Sequence, residues 1–284
     1  MELTANYFKT SDGVLLHSLE AGSGNILLFI PGWSQTAQLF QILLKDLATD
    51  HKVIALDMRG HGESEKPAHG YRPSRLAVDI HEFIENRDLK KITIIGHSMG
   101  CAIIWSLLDQ FGDKNIRQVV LIDQATSVVA WPSWDDEEKN LCGSLHTPES
   151  LFNTLTLLTG PDSSQVRESY IRDSLLTKTC PSDVADWVLS ENMKFPALYA
   201  AHLLLEGSTQ DWRDIIRKIT LPTLIFGGKA SIFNPLSQIW ISQQIKNSVV
   251  HIFEEAEGGS HFMWLENPQK FLYLLRQFLT GKNA

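Results

Sequence analysis

The chain has 284 residues, of which 43% are hydrophobic, enough apolar material for one large domain or a domain carrying an insertion. Its 25 Lys+Arg against 33 Asp+Glu leave a net charge of −8, and no basic run offers a footprint for a phosphate backbone or an anionic membrane, so nucleic acid is not expected as a partner. Three widely spaced cysteines, Cys101, Cys142 and Cys180, fit neither a disulfide framework nor a zinc knuckle.

In chain order, Tyr7–Thr10 and Val14–Glu20 flank Ser11-Asp12-Gly13, a turn signal that predicts an antiparallel opening hairpin. Short runs rich in Ile, Val and Leu follow at Ile26–Ile30, Val53–Asp57, Ile92–Ile95, Val119–Asp123, Thr223–Gly227 and Val249–Phe253. Their continuous apolarity predicts inner strands covered on both faces. Helical spacing of apolar residues fills the intervals at Thr36–Thr49, Pro73–Asn86, Met99–Phe111, Ser237–Ile245 and Pro268–Leu279. The alternation predicts an α/β fold, a mostly parallel central sheet with flanking helices.

Residues 126–213 break this rhythm. Several short amphipathic stretches are separated there by Pro132, Pro148, Gly160-Pro161, Pro181 and Pro196, which predicts a helical cap inserted into a core made of 1–125 and 214–284. Trp131, Trp134, Phe152 and Trp187 are the candidates for an apolar, substrate-binding ceiling. Ordinary burial statistics favour, for any single one of them, a place in the insertion's own small core. No apolar run approaches the ~18 residues of a membrane span. The opening residues MELTANYFKTSDG lack the apolar stretch of a signal peptide, and the expectation is a cytoplasmic protein.

The chemistry is announced by Gly96-His97-Ser98-Met99-Gly100, between the run Ile92–Ile95 and the helical segment that follows. This is G-x-S-x-G with a strand before it and a helix after it. Small residues on either side permit a sharp turn that holds the Ser98 hydroxyl exposed, at the N-terminus of a helix whose free N–H groups face developing negative charge. Ser98 is the candidate nucleophile.

With these residues, Pro31-Gly32-Trp33 and Asp57-Met58-Arg59-Gly60-His61-Gly62-Glu63-Ser64, nearly the whole chain resembles the α/β-hydrolase superfamily, in a chloroperoxidase-like or quinolone-dioxygenase-like branch. The resemblance implies an oxyanion hole from the backbone N–H groups of Trp33 and Met99. It implies His261, in Glu257-Gly258-Gly259-Ser260-His261-Phe262, as the general base that a serine nucleophile needs. Most relatives carry an Asp after the strand occupied here by Thr223–Gly227, but Gly228 to Pro235 hold no carboxylate, and Ser231 stands at the usual place. Asp123 ends the preceding apolar strand, where a minority of the superfamily places its acid, and it is assigned as the residue that orients His261. A cap or loop anchor is the alternative role for Asp123. Glu254, Glu255 and Glu257 are nearer His261 in sequence but are expected to point along the strand or into solvent.

No H-E-x-x-H or comparable spacing occurs, so neither a metal nor another cofactor is expected. The resemblance implies a serine hydrolase that cleaves a small apolar or aromatic carboxylic ester or lactone through an acyl-enzyme, and association as a homodimer is compatible with it. A cofactor-free quinolone ring-cleaving dioxygenase is the alternative within the same fold. Met99 stands where those enzymes usually have a substrate-binding histidine. A non-catalytic, receptor-like binder is the alternative of another class.

Overall fold

A computed structural model describes residues 1–281. Strands β1 (Thr4–Lys9) and β2 (Leu15–Ala21) form the opening hairpin, with Gly13 at φ +91° in its turn. They are followed by β3 (Asn25–Ile30), helix α1 (Gln41–Leu47), β4 (His51–Leu56), α2 (Pro73–Asn86), β5 (Ile92–His97), α3 (Met99–Phe111) and β6 (Ile116–Ile122). Between β6 and the next strand lie α4 (Asp136–Cys142), α5 (Pro148–Thr159), α6 (Ser163–Tyr170), α7 (Ser182–Asn192), α8 (Ala197–Ser208) and α9 (Arg213–Ile216). The chain closes with β7 (Thr223–Gly228), α10 (Pro235–Gln244), β8 (Ser248–Phe253), α11 (Met263–Glu266) and α12 (Pro268–Leu279).

The eight strands form one sheet in the order β1-β2-β4-β3-β5-β6-β7-β8. The hairpin joins it antiparallel through β2 and β4, and every pairing from β4 to β8 is parallel. Parallel strands need long crossovers, and the helices supply them while covering both faces. Leu76, Ile80 and Phe83 of α2 pack with Ile103 and Trp105 of α3 on one face. Leu43 and Leu47 of α1 pack with Phe271 and Leu275 of α12 on the other. Each fully buried Phe or Leu contributes roughly 1.5–3 kcal/mol of apolar burial.

One strand departs from the sequence expectation. Val249–Phe253 was expected inside the sheet, yet β8 pairs with β7 alone and is the edge; five of its six residues are only half-buried. Its run of Val and Ile is apolar enough for an inner strand, but among the described residues no strand pairs with its other side.

The segment between β6 and β7 is helical, with two isolated bridges, Ser127 to Asp211 and Val129 to His146. Several side chains tie it to the rest of the molecule, among them Thr36, whose hydroxyl donates to Glu191 Oε2 at 2.6 Å. Trp33 Nε1 donates to the Ala200 carbonyl of α8 at 2.7 Å. Arg167 of α6, 3% exposed, donates to Ser34 Oγ and to the carbonyls of Asn192 and Phe195. Among the described residues no helix is long and apolar enough to cross a membrane.

Candidate active site

Strand β5 ends at His97 and α3 begins at Met99, so the whole change of direction falls on Ser98, with φ 52° and ψ −128°. Such backbone costs of order 1–3 kcal/mol and persists only where the surroundings impose it. Here the Ser98 N–H donates to the Ile122 carbonyl at 2.8 Å and the Ser98 carbonyl accepts from Cys101 N–H at 2.8 Å. Gly100 lets α3 come down onto the next strand, since a Cβ at that position would lie 2.3 Å from the Ile30 carbonyl oxygen. The turn therefore rests on β3, β5 and β6 at once.

Asp123 follows β6 directly and also adopts a positive φ, 53°, its N–H bonded to the Phe226 carbonyl of β7 at 2.9 Å. Its carboxylate is fully buried and Oδ2 accepts from His261 Nδ1 at 2.6 Å. A charge-assisted bond of that length fixes both the ring orientation and the tautomer, leaving Nε2 as the nitrogen that can take a proton. Burial pushes the Asp123 carboxyl above its ordinary value, opposed by the hydrogen bonds from His261 and Ser231. Ser98 and His261 face the same cleft. No hydrogen bond joins Ser98 Oγ to His261 among the described residues, and contacts of this kind commonly close only once substrate is seated.

Ser231, at the place where most of the resembled superfamily carries its acid, donates its hydroxyl to the same Oδ2 of Asp123. Two donors thus share one carboxylate oxygen, while Oδ1 has no hydrogen-bond partner. The three glutamates near His261 in sequence turn outward, Glu254 pairing with Lys229 at 2.7 Å and Glu257 with Lys270 at 2.6 Å. Ser231→Ala would remove one of the two bonds that favour the charged carboxylate. The Asp123–His261 pair should then bind its proton more readily, and the acid limb of the kcat/KM profile is expected to move up by roughly half to one pH unit. Kinetics between pH 5 and 9 check it, and an unmoved limb would show that the hydroxyl has no influence on the pair.

The loop after β3 brings Trp33 into the cleft that Ser98 lines. Gly32 N–H is bonded to Gln35 Oε1 at 2.9 Å and Ser34 N–H to His61 Nε2 at 3.2 Å. The amides flanking Trp33 are thereby committed elsewhere, and the Trp33 N–H stands between them. His61 is pushed down to about 4 by burial, which keeps its ring neutral and able to accept from Ser34. A second N–H, that of Met99, opens α3. His97, next to Ser98, is held well below its usual range by burial and then by the neighbouring His261; its Nε2 donates to the His261 carbonyl at 2.9 Å.

The cleft is small, about 50 Å³. Its further walls include Gln124, His146, Tyr170, Leu175, Leu204, Ser208 and Phe233. None of the four aromatic residues expected from the sequence to bind substrate lines it. Trp131 and Phe152 are 61% and 60% exposed, Trp134 lies under the Arg213 guanidinium at 4.6 Å, and Trp187 packs on the core cluster of α1 and α12. An aromatic side chain on a short amphipathic helix is equally suited to the inner or outer face of the insertion, and only packing chooses. The insertion instead contributes Tyr170 and Leu175, at either end of one π-helical turn that continues α6. No motif marks them. Gln35 could have been suspected from its place two residues after Trp33.

Among known proteins, the family described as alpha/beta hydrolase fold matches residues 25–268. A soluble epoxide hydrolase of Corynebacterium sp. (strain C12) is 23% identical over 275 residues, covering 91% of this chain and 91% of its own. A non-heme chloroperoxidase of Kitasatospora aureofaciens is 25% identical over 284 residues, covering 95% of this chain and 98% of its own. An esterase from Exiguobacterium antarcticum, of known structure, superposes with a TM-score of 0.87 at 22% identity, covering 98% of this chain and 100% of its own.

Proposed function

The chain belongs to the alpha/beta-hydrolase fold family, and from that premise we propose that it is a serine hydrolase of carboxylic esters or lactones, with Ser98 as nucleophile, His261 as base and Asp123 as acid. The observation that carries this reading is the 2.6 Å bond from His261 Nδ1 to the buried Asp123, in the cleft that Ser98 also lines. It supports a base whose charged form is stabilised and whose free nitrogen serves the serine.

Ser98 Oγ attacks the acyl carbonyl carbon while its proton passes to His261 Nε2. The carbonyl electron pair moves onto oxygen, and the N–H groups of Trp33 and Met99 receive that charge, each such donor being worth roughly 3 kcal/mol in systems where one was removed. Collapse of the adduct expels the alcohol, or the ring oxygen of a lactone, which takes the proton from His261. Water then repeats the sequence on the acyl-enzyme and returns the hydroxyl to Ser98. Residues 126–213 act as a cap over this centre and 1–125 with 214–284 as the core that holds it. The contributions of Tyr170, Leu175, Leu204 and Ser208 to the cleft support that division. The three cysteines, all free, support a cytoplasmic location.

The relatives' names span epoxide opening, halogenation and ester cleavage, so the reaction is tested directly. Rapid labelling by a fluorophosphonate probe is expected, abolished in Ser98→Ala, together with turnover of p-nitrophenyl esters or lactones. Equal inertness of both proteins, with hydroxyquinolone consumed in the presence of oxygen, would replace the hydrolase with the dioxygenase. Inertness throughout would leave a binder.

A further inference from the structure

Two of the deeply buried polar side chains that line the cleft have neither work in the mechanism nor a partner among the described residues. Gln124 and Ser208 are 4% and 1% exposed and line the cleft beside Ser98 and His261. Neither the Gln124 carboxamide nor the Ser208 hydroxyl bonds to another protein group among the described residues, and neither is among the fully sealed polar atoms that lack a partner. Their polar atoms therefore keep an opening, and at so little exposure that opening is the cleft itself. Polar groups this buried are bonded in the great majority of cases, because leaving one unpaired costs on the order of 1–3 kcal/mol.

The backbone holds both in place. The Gln124 carbonyl accepts from Gln238 Nε2 at 3.2 Å, and the Ser208 carbonyl accepts from Val129 N–H at 3.2 Å. Ser208 follows Gly207, whose missing side chain makes room for Met99; a Cβ there would lie 2.6 Å from Met99 Cε. Ser208 and Met99 line the same cleft. The remaining walls are mainly apolar, and no Lys, Arg, Asp or Glu side chain lines the cleft. An ionised substrate group would find only the His146 and His261 rings as possible counter-charges, and burial lowers the proton affinity of His146, so its entry is costly. The small volume of the cleft, about 50 Å³, restricts the acyl group to a short one.

We propose that Gln124 and Ser208 form a specificity wall for uncharged, short acyl groups that carry a second oxygen, as alkoxy or hydroxy, close to the scissile carbonyl. This rests on the hydrolase reading for the word acyl, but the wall itself is tested by binding. A site built to hydrogen-bond an oxygen discriminates strongly against the analogue that lacks it, because its own polar groups are then left unpaired.

The experiment uses ethyl methoxyacetate and ethyl butyrate, which differ by one oxygen in place of one methylene. Their dissociation constants are measured by NMR titration of the Ser98→Ala protein, and again after adding Gln124→Leu or Ser208→Ala. The ratio of the two constants is expected to shift toward butyrate by about tenfold with Gln124→Leu and by about three- to tenfold with Ser208→Ala. In the active protein, the kcat/KM ratio for the corresponding p-nitrophenyl esters is expected to shift in the same sense, mainly through KM. Ratios unchanged in either variant that folds would overturn the proposal. Absence of fluorophosphonate labelling with the binding ratios shifted as expected would overturn the hydrolase reading and leave this one standing.

Discussion

Asp123→Asn is expected to lower kcat by about 10⁴-fold while leaving the protein folded and no less stable. The carboxylate meets two donors at Oδ2, His261 Nδ1 and the Ser231 hydroxyl. A carboxamide that places its oxygen there keeps the tautomer but supplies no charge to the imidazolium of the transition state. One that places its nitrogen there sets a donor against two donors and forces the ring into the wrong tautomer. The first outcome weakens the base proposed here and the second removes it.

The stability half of the expectation follows from the sign of the Asp123 shift. Burial raises its affinity for the proton in the folded chain. At a pH above both the folded and the unfolded value the fold therefore carries a charge it disfavours. That penalty fades as pH falls through the folded value, and a neutral Asn lacks it at every pH. Steady-state kinetics and a thermal melt at pH 7 make the test together. Near-normal turnover would remove Asp123 from the mechanism, and a large fall in Tm would show that its role is to hold the loop after β6.

Gly100→Ala carries the second large effect, this time on the fold. Alanine in place of glycine inside a helix ordinarily gains about 1 kcal/mol. Here the new methyl would lie 2.3 Å from the Ile30 carbonyl oxygen and 2.9 Å from that of Pro31. Both obstacles are backbone, at the end of a strand paired on both sides, so they cannot rotate aside. Overpacking of this kind costs typically 1–3 kcal/mol and occasionally more, which outweighs the propensity gain. Tm is expected to fall by roughly 5 °C or more. Turnover should fall further than the folded fraction explains, because the displaced segment leads directly into Trp33. Gly160→Ala, where the nearest atom is a Thr156 carbonyl oxygen at 3.3 Å, is the comparison that should leave turnover nearly as it was. A Gly100→Ala protein as stable and active as the parent would mean that β3 and α3 can separate at little cost.

Much of this architecture is legible because local rules and tertiary structure agree along the core. Pro73–Asn86, Met99–Phe111 and Pro268–Leu279 are helices over the residues their periodicity predicts. The turn at Ser98 is equally visible, since a strand, two glycines and a helix leave few other geometries. Agreement fails where identical residues suit two environments. The run in β8 reads like an inner strand, and the insertion's tryptophans read like a ceiling. What decides both is whether another element covers them.

The α/β alternation, the tight turn at Ser98 and the short set of candidate groups around it can be read locally, because each is written in spacings of a few residues. Only the tertiary structure decided which of those groups meet. It set Asp123 from the end of β6 and Ser231 from beyond β7 against one another and against His261, and it chose Gln124, Tyr170, Leu175 and Ser208 over the expected aromatics as the walls of the cleft. The reason is physical. Contacts between residues separated by about a hundred positions depend on strand order and on which helix face the packing buries, and neither quantity leaves a local trace in the chain.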